Sequence, residues 1–284
     1  MIRYAQVRAP LPGRGSVTLL LICVVGLLAL WALGLGPGGL LPDGPGLRVA
    51  GRFFSAALSP ALSHEGPVPV GAPAFLPRLA GAILRTLAFA AAAMSLALPV
   101  GLLLGCLASD ALGDRGSSGF IRAAALLRHP VRVLIALLRS IHEFLWAVVL
   151  LAAMGLHPLA GVVALAIPFS GVLAKVFSEM IDEAPRRSAH ALQSAGARPL
   201  AAFLWGQLPR AAPDMAAYAF YRFECAVRSS VVLGFFGYPT LGFYLARSFE
   251  NLHFHEVWTF LYAMGALVLA LELWSTHLRR RLVG

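Results

Sequence analysis

Arg222, Glu224 and Arg228 stand inside an apolar run, roughly Ala212 to Phe236, that is long enough to cross a membrane, and Ser229 and Ser230 follow directly. Ionisable groups at that depth cost several kcal/mol unless paired or wetted, so they face a cavity or a partner helix. Glu224 and Arg228 are spaced i,i+4 and can pair on one helix face. Two readings are open: an ion pair that only ties a bundle together, or a polar, net-positive path for an anion. Arg139 and Glu143 repeat the spacing and can seal one end of such a path, and Lys175 with Glu179 repeats it again. The sequence offers little for covalent or metal chemistry. In His253-Phe-His255-Glu256 the two imidazoles are i,i+2, which points them apart on a helix, and no third ligand lies nearby. That segment reads as a polar membrane-interface loop, with no metal site. Cys23, Cys106 and Cys225 all sit in apolar stretches and read as small core residues without a disulfide framework.

The elements that must hold these residues follow from composition. Of 284 residues, 59% are hydrophobic and only 13% charged, where a soluble domain carries about a quarter. Lipid must therefore cover much of the surface. The net charge of +10 lies in short basic segments between apolar runs, the pattern of cytoplasmic loops rather than of nucleic-acid binding. The expected class is an all-α polytopic membrane protein with about six transmembrane helices. Val17–Leu33 has the length of a span, and no small-x-small cleavage site follows to make it a leader. Residues 36–78, rich in Gly and Pro, form an extracytoplasmic segment with a short interfacial helix over Leu47–Leu58. A second span covers Leu79–Ala108, crowded with alanines that let helices approach closely. Residues 109–141 carry five arginines and read as an amphipathic cytoplasmic segment that rises into the membrane near Val133. Glu143–Met154 and Ala160–Phe177 make a hairpin across the bilayer, turning at Gly155-Leu-His-Pro158. Ala212–Phe236 and Val257–Ser275 complete the set. Fifteen arginines fall in segments assigned to the cytoplasm against five outside, which places both termini in the cytoplasm. The organisation is then residues 1–78 as an N-terminal transmembrane helix with its linker, and residues 79–284 as the core.

Between the hairpin and the fifth span lies a polar stretch, residues 182–210. Gly196 ends one short helix there and Pro199 begins another, with Leu192, Ala195 and Phe203 giving an apolar face. From physics alone it is either a solvated helical loop or a pair of helices that presses into a groove on a soluble partner.

The residues themselves resemble a known pattern. ABC importer permeases carry a coupling-loop signature, Glu-Ala-Ala-x3-Gly-x9-Ile-x-Leu-Pro, and His190-Ala191-Leu192, Gly196 and Leu208-Pro209 fall at its spacings. His190 stands at the Glu position and Gly206 at the Ile position; Glu183-Ala184, thirteen residues before Gly196, has the wrong spacing to be the start. Tyr221-Arg-Phe-Glu-Cys-Ala-Val-Arg-Ser-Ser-Val-Val-Leu-Gly234 is similar to the phosphonate permease pattern, and so is Arg139-Ser-Ile-His-Glu143-Phe-Leu-Trp146 with the Gly155 turn and Gly161-Val162 after it. Lys175 and Glu179 match the same stretch, and Gly237-Tyr-Pro-Thr-Leu-Gly242 replaces the usual glycine-rich turn.

The resemblance runs from about residue 80 to the end and implies a type I ABC importer permease-like bundle in a bacterial inner membrane. It implies a homodimer, two copies of a cytoplasmic ATPase holding ATP-Mg and gripping loop 182–210, and an extracytoplasmic substrate-binding protein. Its substrate class is phosphonate or a related phosphorus oxyanion, with another small solute as the alternative. Arg139, Glu143, Arg222, Glu224, Arg228, Ser229 and Ser230 then line the path, where the planar fork of arginine suits phosphonate oxygens. Lys175 and Glu179 anchor the coupling loop. The chain contains no Gly-x4-Gly-Lys-[Ser/Thr] phosphate loop, so ATP hydrolysis is expected elsewhere and no cofactor is expected in this chain. The rival of another class, a membrane-embedded enzyme, requires His157 and His253 to converge with an acid.

Overall fold

The computed structural model describes residues 14–34, 44–67, 71, 73–112 and 119–283. They are helical throughout, with no strand among the described residues. The chain forms two compact units, Met1–Ser55 and Ala56–Gly284. In the first, α1 (Arg14–Ala32) is apolar on all sides and long enough to span a bilayer, and α2 (Gly44–Ala56) is amphipathic, as expected for the stretch around Leu47–Leu58.

The second unit is a helical bundle centred on α3 (Phe75–Ala108) and α6 (Pro158–Glu183). Their contact is close because α3 carries Ala97, Gly101 and Gly105 along one stripe. A Cβ on Gly101 would stand 2.7 Å from Cβ of Leu173, so the α6 backbone lies where a side chain would otherwise be. Around this pair lie α4 (Gly119–Ser140), α5 (Glu143–Met154), α9 (Leu208–Val232), α10 (Leu241–Glu250) and α11 (Phe254–Val283). Between α6 and α9 come the short α7 (Arg187–Ser194) and α8 (Pro199–Ala202), and a π-helical turn, Phe203–Gln207, that leads without a break into α9.

Four helices are long and apolar enough to cross a membrane singly: Gly15–Ala32, Phe75–Ala108, Pro158–Glu183 and Phe254–Leu278. The count reaches six when two bent pairs each serve as one span. This modifies the expected hairpin. Glu143–Met154 has 12 residues, about 18 Å of helix at 1.5 Å per residue, which cannot cross about 30 Å of hydrocarbon alone. It is long enough to span only when joined to Leu126–Ser140, from which it is bent by 87° at Ile141–His142, the geometry of a broken span or a re-entrant loop. His142 caps α5 and His157 caps α6, each ring accepting from the backbone N–H two residues on, and Gly155 ends α5 with φ 69°.

Candidate translocation face and coupling segment

The expected path residues separate into three environments. Glu224 and Arg228 form the anticipated i,i+4 pair at 3.0 Å, with Glu224 8% and Arg228 47% exposed at the side chain. The carboxylate is therefore held inside the bundle while the guanidinium reaches its surface. Arg222 lies about 120° round the helix from Arg228 at 100° per residue. Its Nε donates to Tyr218 Oη at 2.8 Å, and its guanidinium lies 6.0 Å from the Phe169 ring centre. Ser229 donates to Glu143 Oε1 at 2.8 Å, so α5 and α9 are bridged by a polar contact the spacing alone did not suggest.

Two expected arrangements are corrected. Arg139 and Glu143 do not share a helix face, because the break at Ile141–His142 parts them; Glu143 meets Ser229 and His142 instead. Ser230 is fully buried, donating to the carbonyls of Thr86 and Val227. It joins α9 to α3 and does not lie on the open face with Arg228. Thr86 extends this seam, since its hydroxyl accepts from the N–H of Leu241.

Lys175 and Glu179 pair at 2.6 Å on the exposed side of α6. They line a cavity of about 410 Å³ with Arg132 and Arg139 of α4. What ties residues 187–207 down escaped the sequence reading. Gln207, 1% exposed, donates from Nε2 to the carbonyls of Ile181 (2.7 Å) and Ala184 (2.9 Å). It thus caps the C-terminus of α6, where orphan carbonyls need donors. Asp182 accepts from Ser109 Oγ at 2.6 Å and from the N–H of Ala111 at 3.0 Å, joining the end of α3 to the same point.

The short helices form as expected. Gly196 sits at φ 89°, its N–H bonded to Gln193 O and that of Ala197 to Leu192 O, a Schellman closure of α7. Pro199 starts α8. His190, Ala191, Leu192, Gly196 and Pro209 are exposed and Leu208 partly so. Leu200, Leu204 and Trp205 (78% exposed) add apolar surface beside them. Phe203, expected on that face, is buried in the core, because the π turn rotates it inward. Gly206 explains its own departure from the signature: a Cβ there would stand 2.7 Å from the Ala189 Cα. Helix α7 packs on bare backbone, where the signature has isoleucine.

Comparison with known proteins places this geometry. Residues 97–283 match the model of the family described as "Binding-protein-dependent transport system inner membrane component". The phosphite transport system permease protein PtxC of Stutzerimonas stutzeri is 33% identical over 57% of this chain and 60% of its own length. The phosphate-import permease protein PhnE of Mycolicibacterium smegmatis is 33% identical over 54% of this chain and 29% of its own. The match thus spans less than two thirds of either relative. Among solved structures, the MetNI methionine ABC transporter in an inward-facing conformation superposes with a TM-score of 0.62 at 20% identity, over 73% of this chain and 97% of that one. That likeness establishes the fold. With the family model covering the helices that hold Glu143, Arg222, Arg228 and the α7–α8 segment, the chain belongs to the binding-protein-dependent transport inner-membrane components, the multi-pass permeases of ABC importers.

Proposed function

We propose that this chain is the membrane subunit of an ATP-driven importer of phosphonate or a related phosphorus oxyanion, working as a homodimer with two copies of a cytoplasmic ATPase and an extracytoplasmic binding protein. The observation that carries the reading is the α7–α8 segment. It offers an exposed apolar tip of Leu192, Leu200, Leu204 and Trp205, while its root is locked by Gln207 to α6 and runs unbroken into α9. A push on the tip therefore moves the helix that bears Arg222 and Arg228. His190, Ala191 and Gly196 belong to the tip, and Leu208 and Pro209 to the start of the moving helix. The ATPase binds and hydrolyses ATP-Mg, and this chain transmits the motion without being an enzyme itself.

The substrate class rests on the names of PtxC and PhnE, which are a phosphite and a phosphate permease, and on Arg228, a half-exposed guanidinium backed by buried Glu224. Facing copies of Arg228 across a dimer axis, with Arg222, Ser229 and Glu143 behind them, put two guanidinium groups at the lining while their Glu224 partners stay buried. Both termini and the α7–α8 end are cytoplasmic in this reading, which the arginine distribution supports. The test is uptake of labelled 2-aminoethylphosphonate into proteoliposomes holding this chain, its ATPase and its binding protein. ATP-dependent accumulation is expected. ATP hydrolysis without accumulation moves the substrate to another solute, and an assembled complex that does neither overturns the transporter reading.

A further inference from the structure

At the end of the bundle opposite α7–α8, where α3 and α11 begin, a cavity of about 370 Å³ opens between the segment 64–67, α3, α10 and α11. Its floor is aromatic, with the half-buried Phe243 and Tyr244 at its surface and the buried Phe75 and Phe260 beneath: Tyr244 stacks on Phe260 at 6.0 Å, and the Phe260 and Phe75 ring centres are 5.6 Å apart. Around that floor stand Arg78, Arg247, Asn251, His64 and His253. Arg78 lies over Tyr244, its guanidinium carbon 5.8 Å from the ring centre. Neither Arg78 nor Arg247 forms an ion pair among the described residues.

The one carboxylate in the cup is already engaged. Glu256, 7% exposed, accepts from the N–H of Glu65 at 2.8 Å through one oxygen and from the Ser248 hydroxyl at 2.7 Å through the other. His64 and His253 stand 3.7 and 4.0 Å from it. Gly66 makes room for the second imidazole, since a Cβ there would be 2.5 Å from His253 Cε1. What the cup has left to offer is chiefly its two guanidinium forks, since Asn251 Nδ2 already donates to Arg247 O at 2.9 Å and His64 Nε2 lies 3.2 Å from Pro73 O. A ligand that satisfies them accepts many hydrogen bonds, carries negative charge, and has a small apolar part to set on the aromatic floor.

We propose that this cup is a binding site for a tetrahedral phosphorus oxyanion bearing a short organic group, distinct from the Arg222–Arg228 face. Two sources share that chemistry: a free phosphonate, and the phosphate of a lipid headgroup. The cup's donors call for an oxyanion; that it is a phosphorus oxyanion rests on the transport reading, while the site itself is tested by direct binding.

The test uses the full-length chain purified in detergent. Methylphosphonate is titrated calorimetrically, and retention of phosphatidylglycerol is followed by native mass spectrometry. Arg247→Gln, at an exposed position on α10, weakens whichever probe binds by about 10-fold or more, the loss expected for one charge-assisted contact. Gly66→Ala displaces His253, leaves both arginines in place, and weakens the same probe by a smaller factor. Both variants are compared at unchanged thermal midpoint. Saturable methylphosphonate binding that Arg247→Gln diminishes assigns the free anion; lipid retention alone, equally diminished, assigns the headgroup. If neither probe binds, or if both substitutions leave binding as it was, the site is refuted. If Arg247→Gln instead abolishes only the docking of the binding protein, the cup is a protein contact and the proposal is equally overturned. Uptake in proteoliposomes is scored separately, so failure of the cup leaves the transporter reading standing.

Discussion

The two ends of the bundle are built by opposite means. The α7–α8 end is local: residues 187–207 fold on themselves through a Schellman turn and a helix-starting proline, and join α6 through Gln207. The other end is assembled from far apart in the chain. Ala61 donates to His255 O, Thr259 donates to Ala61 O, Tyr262 donates to Ala57 O, and Glu256 binds the N–H of Glu65, all across about two hundred residues. A locally coded end can keep one shape while the helices around it tilt. An end stitched from remote segments changes shape only if its stitches break, so we propose that the cup end is the frame against which the α7–α8 end moves.

The largest expected effect tests the local end. Gly206→Ile restores the residue of the importer signature, yet its side chain must enter the Ala189 backbone. Overpacking of this kind costs about 1–3 kcal/mol, and here α7 must lift off the π turn. We expect loss of substrate-stimulated ATP hydrolysis and a lowered thermal midpoint. A fully active Gly206→Ile variant breaks the account of why this chain departs from the pattern. Next in size is Arg228→Gln, which leaves the buried Glu224 without its cation. With Arg228 half exposed, screening keeps the stability cost to about 1–2 kcal/mol. Uptake should fall at least about 10-fold if the guanidinium meets substrate, that being the worth of a lost charge-assisted hydrogen bond. Wild-type uptake leaves the pair a purely structural role.

How legible each end was in the sequence follows the same division. The short helices, the Gly196 turn and the Glu224–Arg228 pair were readable because their determinants lie within a few residues of each other. The 87° bend between α4 and α5 was not. Ile141-His142 carries no Pro or Gly, and only the His142 cap marks the break. That bend is also why Arg139 and Glu143, correctly spaced for one face, never meet. Gln207 looked like one more polar loop residue, since the carbonyls it caps lie 23 and 26 residues back. Glu256 was read with its sequence neighbours as part of an interface loop, whereas it is buried in the first turn of α11 against a residue 191 positions away. Periodicity and spacing report neighbours along a helix; they are silent about which loop a helix end will receive.

Gln207→Leu sharpens the comparison at smaller scale. It keeps the side-chain volume but removes both donors to α6, leaving two carbonyls uncapped at about 1–2 kcal/mol in total. Assembly should survive, while the ratio of substrate moved to ATP hydrolysed falls, because the tip can then swing without carrying α6. An unchanged ratio, measured in proteoliposomes, removes Gln207 from the transmission.

The smallest effect is expected at the stitched end, from Thr259→Val. The Thr259 hydroxyl donates to Ala61 O at 2.7 Å and lies 3.0 Å from its own-helix carbonyl at His255. Valine is close in shape, so the change removes one hydrogen bond across the seam and little else. One neutral bond is worth about 1 kcal/mol, which is about a 5-fold rise in the open population of segment 59–66. Amide hydrogen exchange reads that population directly. If the seam is one cooperative unit, exchange should speed up at Ala61 and Glu65 together, although the lost bond is to the Ala61 carbonyl and both amides keep their acceptors, His255 O and Glu256 Oε1, while the amides of α7 stay as they were. If Ala61 alone accelerates, the stitches act singly. The cup end is then a row of independent contacts and loses its standing as a frame.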